Sequence, residues 1–178
     1  MYVIGIDPGP VVGIVRLSLN NQSHLTGVNA LQVTPGVLEL VLEALAAPWA
    51  VVAVERFVIG PRSARSAHST EGETARNLVA LVKDWADSLN YACHLRSAAE
   101  VKPWASDVRL AAAGLIAPTS GMRHARDAAR HALFCAVRDC GLTDPLISKA
   151  NARCPDCNVF HRFGPCSGAR LIPRGRGA

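Results

Sequence analysis

The sequence predicts an α/β fold with a mixed five-stranded sheet and helices on both of its faces. The first observation is the order of the patterns: three strands precede helices that alternate with two further strands. The second is a pair of apolar runs, 2–6 and 49–54, that are rich in β-branched residues and too short for helices, which is typical of buried strands. The 178 residues, 49% of them hydrophobic, suffice for one domain with a full core.

Each element has its own local signal. The strands are predicted at 2–6, 11–19, 25–33, 49–54 and 91–95. The helices are predicted at 35–47, 73–89, 98–114 and 122–140, with an interruption at Pro103. Pro35-Gly36 opens the first helix, whose apolar residues recur with the 3.6-residue period. Gly141 is placed as the residue that ends the last helix.

Charge and composition limit the class of protein. The formal net charge is +5, and residues 141–178 carry six basic against two acidic residues, which is compatible with a polyanionic partner or with simple solvation of a tail. No apolar run approaches the roughly 18 residues of a membrane span, and no signal-peptide pattern opens the chain. We therefore expect a cytoplasmic protein without membrane contacts. Its six cysteines are expected to be thiols or metal ligands.

Four segments are expected along the chain. Residues 1–141 form the α/β domain, and 142–153 form a linker. Residues 154–166 hold a cluster of Cys and His. Residues 167–178 are rich in Gly, Arg and Pro and lack apolar periodicity, so they predict a disordered basic tail.

Three carboxylates stand out by their position. Asp7 and Glu55 each follow a buried strand. Asp127 lies on the last helix, on the same side as His124 and His131. Carboxylates that repel one another converge where divalent cations neutralise them. The three acids together therefore predict a metal site.

Each of these residues also has a purely structural interpretation. Asp7 alone is as well explained as a cap of its own turn. His131 is interpreted as a satisfied core histidine. Asp127 has possible ion-pair partners on its own helix, namely Arg123, Arg126 and Arg130.

Three motifs in order resemble those of RuvC-type Holliday-junction resolvases. They are Gly-Ile-Asp-Pro-Gly at 5–9 with Gly13 after it, Val54-Glu55 at the end of the fourth strand, and His124-x-x-Asp127-Ala128 on the last helix. The sequence is most similar to the RuvC-like endonucleases of actinobacterial phages, which also have Glu-Arg-Phe followed by a basic Gly-Pro/Arg loop. The resemblance covers residues 1–140.

This resemblance implies an RNase H-like nuclease domain whose first and fourth strands are neighbours. It also implies a catalytic metal site formed by Asp7, Glu55, His124 and Asp127. The family has an acidic or His ligand one helical turn before the last Asp, and His124 stands at that position. His124 would be either a metal ligand or a proton donor to the leaving 3′ oxygen.

The mechanism that fits is two-metal hydrolysis of a phosphodiester, with two Mg²⁺ or Mn²⁺ ions about 3.5–4 Å apart in each active site. Asp7 would bridge both ions, Glu55 would bind one and Asp127 the other. The oxygen-rich ligands favour these metals over Zn²⁺. Phe57 either stacks on a base or packs under its loop. The residues expected to contact phosphates are Arg56, Arg62, Arg65 and Lys102.

We therefore expect a metal-dependent, structure-selective endodeoxyribonuclease that cleaves Holliday junctions or other branched DNA. The resemblance implies a homodimer, since a junction presents two scissile strands related by a two-fold axis. Two alternatives stay open. One is an RNase H-like nuclease acting on another nucleic acid, and the other is a non-catalytic RNase H-like module that binds nucleic acid.

A separate cluster predicts a small structural zinc site after the nuclease domain. Its spacing is one residue shorter than a zinc knuckle, and four such ligands can close a tetrahedral site. The ligands are Cys154, Cys157, His161 and Cys166. The other cysteines, Cys93, Cys135 and Cys140, are interpreted as buried or incidental thiols.

Overall fold

A computed structural model describes residues 1–57 and 70–147. The strands of the described residues are β1 Tyr2–Asp7, β2 Val12–Leu19, β3 Leu25–Val33, β4 Ala50–Glu55 and β5 Ala92–Arg96. The helices are α1 Leu38–Leu45, α2 Thr70–Ser88, α3 Ala98–Val101, α4 Asp107–Ala112 and α5 Arg123–Arg138. A short 3₁₀ turn, Pro35–Val37, leads into α1.

The strands form one mixed sheet in the order β3-β2-β1-β4-β5. β1 is antiparallel to β2 and parallel to β4, and β4 is parallel to β5. The register pairs Ile6 with Val54, so that Asp7 and Glu55 leave the sheet side by side at the same edge. The predicted mixed sheet of five strands, with the first and fourth as neighbours, is confirmed.

Helices cover both faces of this sheet. Side chains alternate along β1, so Val3 packs with the last helix while Ile4 and Ile6 pack against the opposite layer. The α5 side is built from small residues, chiefly alanines, on that helix. The other side is built from leucines and valines of α1, α2 and β4. The sheet therefore holds α5 at a fixed position above the ends of β1 and β4.

Glycines at two positions of the sheet let the backbone of α5 pack directly against the strands. A Cβ atom added to Gly5 would lie 2.2 Å from the carbonyl oxygen of Ala128, and one added to Gly13 would lie 2.1 Å from that of His124. No side chain fits at either position without moving the helix. The glycines around Asp7 thus set the height at which α5 lies over the strand ends.

Two local expectations needed correction. The helix expected over 98–114 is two short helices, because Ser97 and Ser106 each cap a new start through their side-chain oxygens. Trp49 does not begin the fourth strand; it is 84% exposed, with a φ of 62° in the turn before β4. Gly141, with a φ of 76°, follows α5 as expected.

The chain divides into two compact units, Met1–Leu142 and Thr143–Ala178. Of the second unit the structure describes only residues 143–147, where Asp144 accepts a hydrogen bond from the backbone of Leu146. The predicted zinc ligands and the basic tail lie outside the described residues. Among the helices that the structure describes, none is both long and apolar enough to cross a bilayer.

Candidate active site

The site forms where two parallel strands end under the first turns of α5. β1 presents Asp7, whose side chain is only 12% exposed, and β4 presents Glu55. The turn after β1 begins at once with Pro8-Gly9, so the carboxylate of Asp7 stays at the sheet edge. α5 lies over this edge and contributes His124 and Asp127 from one side of its first two turns.

His124 is fixed from two directions. Its Nδ1 lies 2.9 Å from Oδ2 of Asp7. Its backbone N–H donates to the side-chain oxygen of Gln32, on β3, at 2.8 Å. The carboxylate of Asp7 therefore contacts the helix that carries the other site residues.

Glu55 and Asp127 share one cation. The Nζ of Lys102 lies 3.1 Å from Oδ2 of Asp127 and 3.8 Å from Oε2 of Glu55. Arg130 is a second partner of Asp127, with its Nε 3.3 Å from Oδ1. The same guanidinium donates to Asp107 at 2.6 Å, which fixes its position.

His131 is the second partner of Glu55. Its Nε2 lies 3.2 Å from Oε2 of Glu55, and its side chain is 1% exposed. It is the core histidine that was expected, but its partner is a site carboxylate.

The electrostatics reflect three acids in a small space. The pKa of Asp7 is raised from 3.8 to about 6, chiefly by burial: the hydrogen bond with His124 opposes this rise, and the charges of Glu55 and Asp127 add to it. Burial would also raise the pKa of Glu55, but the hydrogen bond from His131 and the charge of Lys102 outweigh it and lower that pKa.

A cleft of about 510 Å³ opens over these side chains. Asp7, His124, Asp127 and Lys102 line it, together with Phe57 and the turn at 8–10. α2 forms part of its wall through Gly72 and Ala75. The cleft gives an extended substrate access to the carboxylates.

The donor set fits a divalent metal ion. Carboxylate oxygens from three separate elements face one region, and an ammonium group already lies within 4 Å of two of them. Oxygen donors with a flanking imidazole suit Mg²⁺ or Mn²⁺. The residues that would hold the ions are Asp7, Glu55, Asp127 and, as a further donor, His124.

Among the residues that it describes, the structure brings six of the predicted site residues together. Asp7, His124, Asp127 and Lys102 meet at the cleft, and Glu55 joins them through Lys102. Phe57 lines the cleft. Arg56 is exposed, does not line it, and donates its backbone N–H to the carbonyl oxygen of Arg96 at 2.8 Å. Arg62 and Arg65 lie outside the described residues, as do Cys154, Cys157, His161 and Cys166.

Sequence reasoning missed three contacts of the site. No sequence pattern indicated the contact between Gln32 and His124, because it depends on the β2–β3 pairing that places Gln32 beside Gly13. Arg130 was one of three possible partners of Asp127, and only the fold selects it. His131 did carry a signal, since it stands four residues after Asp127 on one side of α5.

Comparison with known proteins supplies a likeness at the level of the fold. No protein-family model matches the sequence, and no curated protein matches it. Among solved structures, T. thermophilus RuvC in complex with Holliday junction substrate superposes with a TM-score of 0.52 at 19% identity. The match covers 74% of this chain and 90% of RuvC. The chain has a RuvC-like fold.

Proposed function

We propose that this protein is a metal-dependent, structure-selective DNA endonuclease that cleaves Holliday junctions or other branched DNA. The observation that carries the proposal is that Asp7 and Asp127 line one cleft, while Glu55 ends the strand beside Asp7 and contacts Lys102 of the same cleft. The RuvC-like fold supports it, because a protein with that fold was solved in complex with a Holliday junction.

The site residues would have different roles in phosphodiester hydrolysis. Asp7, Glu55 and Asp127 would hold two Mg²⁺ or Mn²⁺ ions, which activate the attacking water and stabilise the leaving oxygen when bound. The contact between Nδ1 of His124 and Asp7 fixes the orientation of that carboxylate. From its place on the cleft wall His124 serves either as a further metal ligand or as the donor of a proton to the 3′ oxygen.

Lys102 can interact both with the site carboxylates and with the DNA backbone. Its ammonium group contacts the carboxylates, yet its side chain remains 40% exposed and lines the cleft. It therefore neutralises Asp127 and Glu55 in the free protein and contacts a phosphate when DNA occupies the cleft. The same phosphate contact was predicted from the sequence.

Basic residues continue the path of the DNA beyond the carboxylates. A second cleft of about 390 Å³ adjoins Asp127 and is lined by Arg123, Arg126 and Arg130 of α5. Contacts between such residues and the backbone position DNA without reading its sequence. The other predicted phosphate contacts, Arg56, Arg62 and Arg65, follow β4 in the sequence and would add positive charge for DNA binding. Phe57, on the wall of the first cleft, stacks on an unpaired base or packs under the loop.

The wider assignment follows from this substrate. A homodimer would make the two symmetric cuts that a junction requires. The enzyme would act in the cytoplasm, in recombination or repair of DNA. The nuclease unit would span residues 1–141, followed by the linker at 142–153, the zinc segment at 154–166 and the basic tail at 167–178. The Glu-Arg-Phe sequence and the basic loop support a relationship to phage enzymes.

A panel of synthetic substrates tests the substrate class. Purified full-length protein with Mg²⁺ is incubated with a four-way junction, a flap, a linear duplex and an RNA–DNA hybrid of related sequence. We expect cleavage of the junction or flap and little cleavage of the duplex. Preferred cleavage of the hybrid would contradict a branched-DNA nuclease, and binding of the junction without cleavage of any substrate would contradict an enzyme.

A further inference from the structure

A second group of metal-ligating side chains lies near the other end of α5. A ring nitrogen of His94 on β5, the Sγ of Cys135 and a carboxylate oxygen of Asp139 all lie within 4.8 Å of one another. Cys140 directly follows Asp139, and its thiol is near enough to that of Cys135 to affect its pKa, so Cys140 is a candidate for the fourth donor. Cys135 lies eight residues beyond Asp127, about 12 Å along the helix axis, so this group is separate from the proposed active site.

Separate elements of the fold converge on this group. Strand alternation directs the neighbours Cys93 and Leu95 toward the α1–α2 side of the sheet. His94 therefore points to the α5 side. Cys135 on α5 and Asp139, the residue that follows the helix, are four residues apart and lie on the same side. Cys140 follows directly where the helix ends.

The chemistry of the donors selects the ion. Two sulfur atoms, one imidazole and one carboxylate form a set that prefers a thiophilic ion and differs from the oxygen-rich set around Asp7. We propose that His94, Cys135, Asp139 and Cys140 bind one Zn²⁺ ion in a structural site that ties the end of α5 to β5. This proposal does not depend on the nuclease function.

The distances are compatible with closure around an ion. In a tetrahedral zinc site the ligand atoms lie about 3.3–3.8 Å from one another, given the usual Zn–S and Zn–N lengths. Here Nδ1 of His94 lies 4.0 Å from Oδ2 of Asp139, and the three donor atoms are within 4.8 Å. Inward movements of about 1 Å or less, within reach of side-chain rotation, would complete the site.

The charges also balance. Two thiolates and one carboxylate carry three negative charges. Zn²⁺ neutralises two of these charges, so one negative charge remains. The guanidinium of Arg96 donates to both oxygens of Asp139, at 2.7 and 2.9 Å, and supplies the compensating positive charge. Each carboxylate oxygen keeps a further lone pair for an ion. Arg96 thus orients Asp139, in the same way as the outer hydrogen-bond partners of metal ligands in other proteins.

The test uses Co²⁺ as an optical probe in the full-length protein. The predicted zinc segment would also bind Co²⁺, so it is disabled first by Cys154→Ser with Cys157→Ser. In this background we expect one equivalent of Co²⁺ to produce thiolate-to-cobalt charge-transfer absorption and the visible bands of a tetrahedral ion. Ions held by the carboxylates of the active site give no thiolate band.

Variants assign the signal to the group. His94→Gln and Cys140→Ser should each weaken Co²⁺ binding by at least about tenfold. Cys93→Ser is the matched control, because its thiol lies on the same strand but faces the opposite core, and it should leave binding unchanged. Absence of the thiolate band in the parent background would overturn the proposal. So would a band that His94→Gln and Cys140→Ser leave intact.

Discussion

Nε2 of His131, on α5, lies 3.2 Å from Oε2 of Glu55, and the side chain of the histidine is almost completely buried. A buried imidazole has few ways to satisfy its nitrogens, so this contact holds the carboxylate in one orientation. His131 reaches no substrate from this position. It is a positioning residue for a proposed metal ligand, comparable to the outer partners that orient ligands in known metal sites.

His131→Leu should weaken Mg²⁺ binding by about 10–100-fold, because Glu55 loses its donor. Cleavage measured as a function of Mg²⁺ concentration should shift accordingly, with a smaller effect on the rate at saturating metal. His131→Gln, which retains a side-chain N–H, should recover part of the affinity. His24→Gln changes an exposed histidine outside the site and serves as the control. An unchanged Mg²⁺ dependence in His131→Leu would exclude the positioning role.

Lys102→Met should separate metal binding from catalysis. The ammonium of Lys102 competes with metal ions for Glu55 and Asp127, so its removal should raise the Mg²⁺ affinity severalfold. Cleavage at saturating Mg²⁺ should nevertheless fall, because the variant lacks a phosphate contact. Calorimetric titration and single-turnover cleavage measure the two effects. Lys83→Met removes an exposed ion pair on α2 and should change neither. Weaker Mg²⁺ binding in Lys102→Met would contradict this account.

The contribution of Asp7 to the stability of the metal-free protein should fall as the pH rises from about 4 to about 6. Over this range folded Asp7 retains its proton while the unfolded chain has lost it, so the folded state binds more protons. The loss amounts to at most about 3 kcal/mol in the free energy of unfolding. Asp7→Asn should lack this component. Urea unfolding of both proteins between pH 4 and 8 measures the difference, which should widen toward pH 6 in favour of the variant. A pH-independent difference would contradict a raised pKa for Asp7.

Gly13→Ala should destabilise the fold by about 3 kcal/mol, because the new methyl group meets the backbone of His124. The helix would have to move away from β2, which also separates Asp127 from Asp7. Thermal unfolding and Mg²⁺ affinity should therefore both change. Gly36→Ala is the matched control, since no atom lies within 4 Å of its added Cβ. Equal stability of the two variants would contradict the close packing of α5.

Much of the fold could be predicted because its signals are local. Runs of β-branched residues mark β1 and β4, and the acids that end them meet once those strands are parallel neighbours. The contacts made by Gln32 and Arg130 depend on strand register and on the position of α4, which no local pattern encodes. At Trp49 a local pattern was misleading. Its apolar side chain continues the strand pattern in the sequence, but its backbone lies in the turn before β4.

The cleavage of a four-way junction by matched active-site variants tests the central claim most directly. Wild-type protein, Asp7→Asn and Glu55→Gln are compared on one labelled junction with Mg²⁺, after circular dichroism has shown that all three are folded. Both substitutions keep the shape of the side chain and remove its charge. We expect cleavage by the wild type and a loss of at least about 100-fold in each variant, with junction binding retained. Equal cleavage by Asp7→Asn would contradict a carboxylate-held metal site.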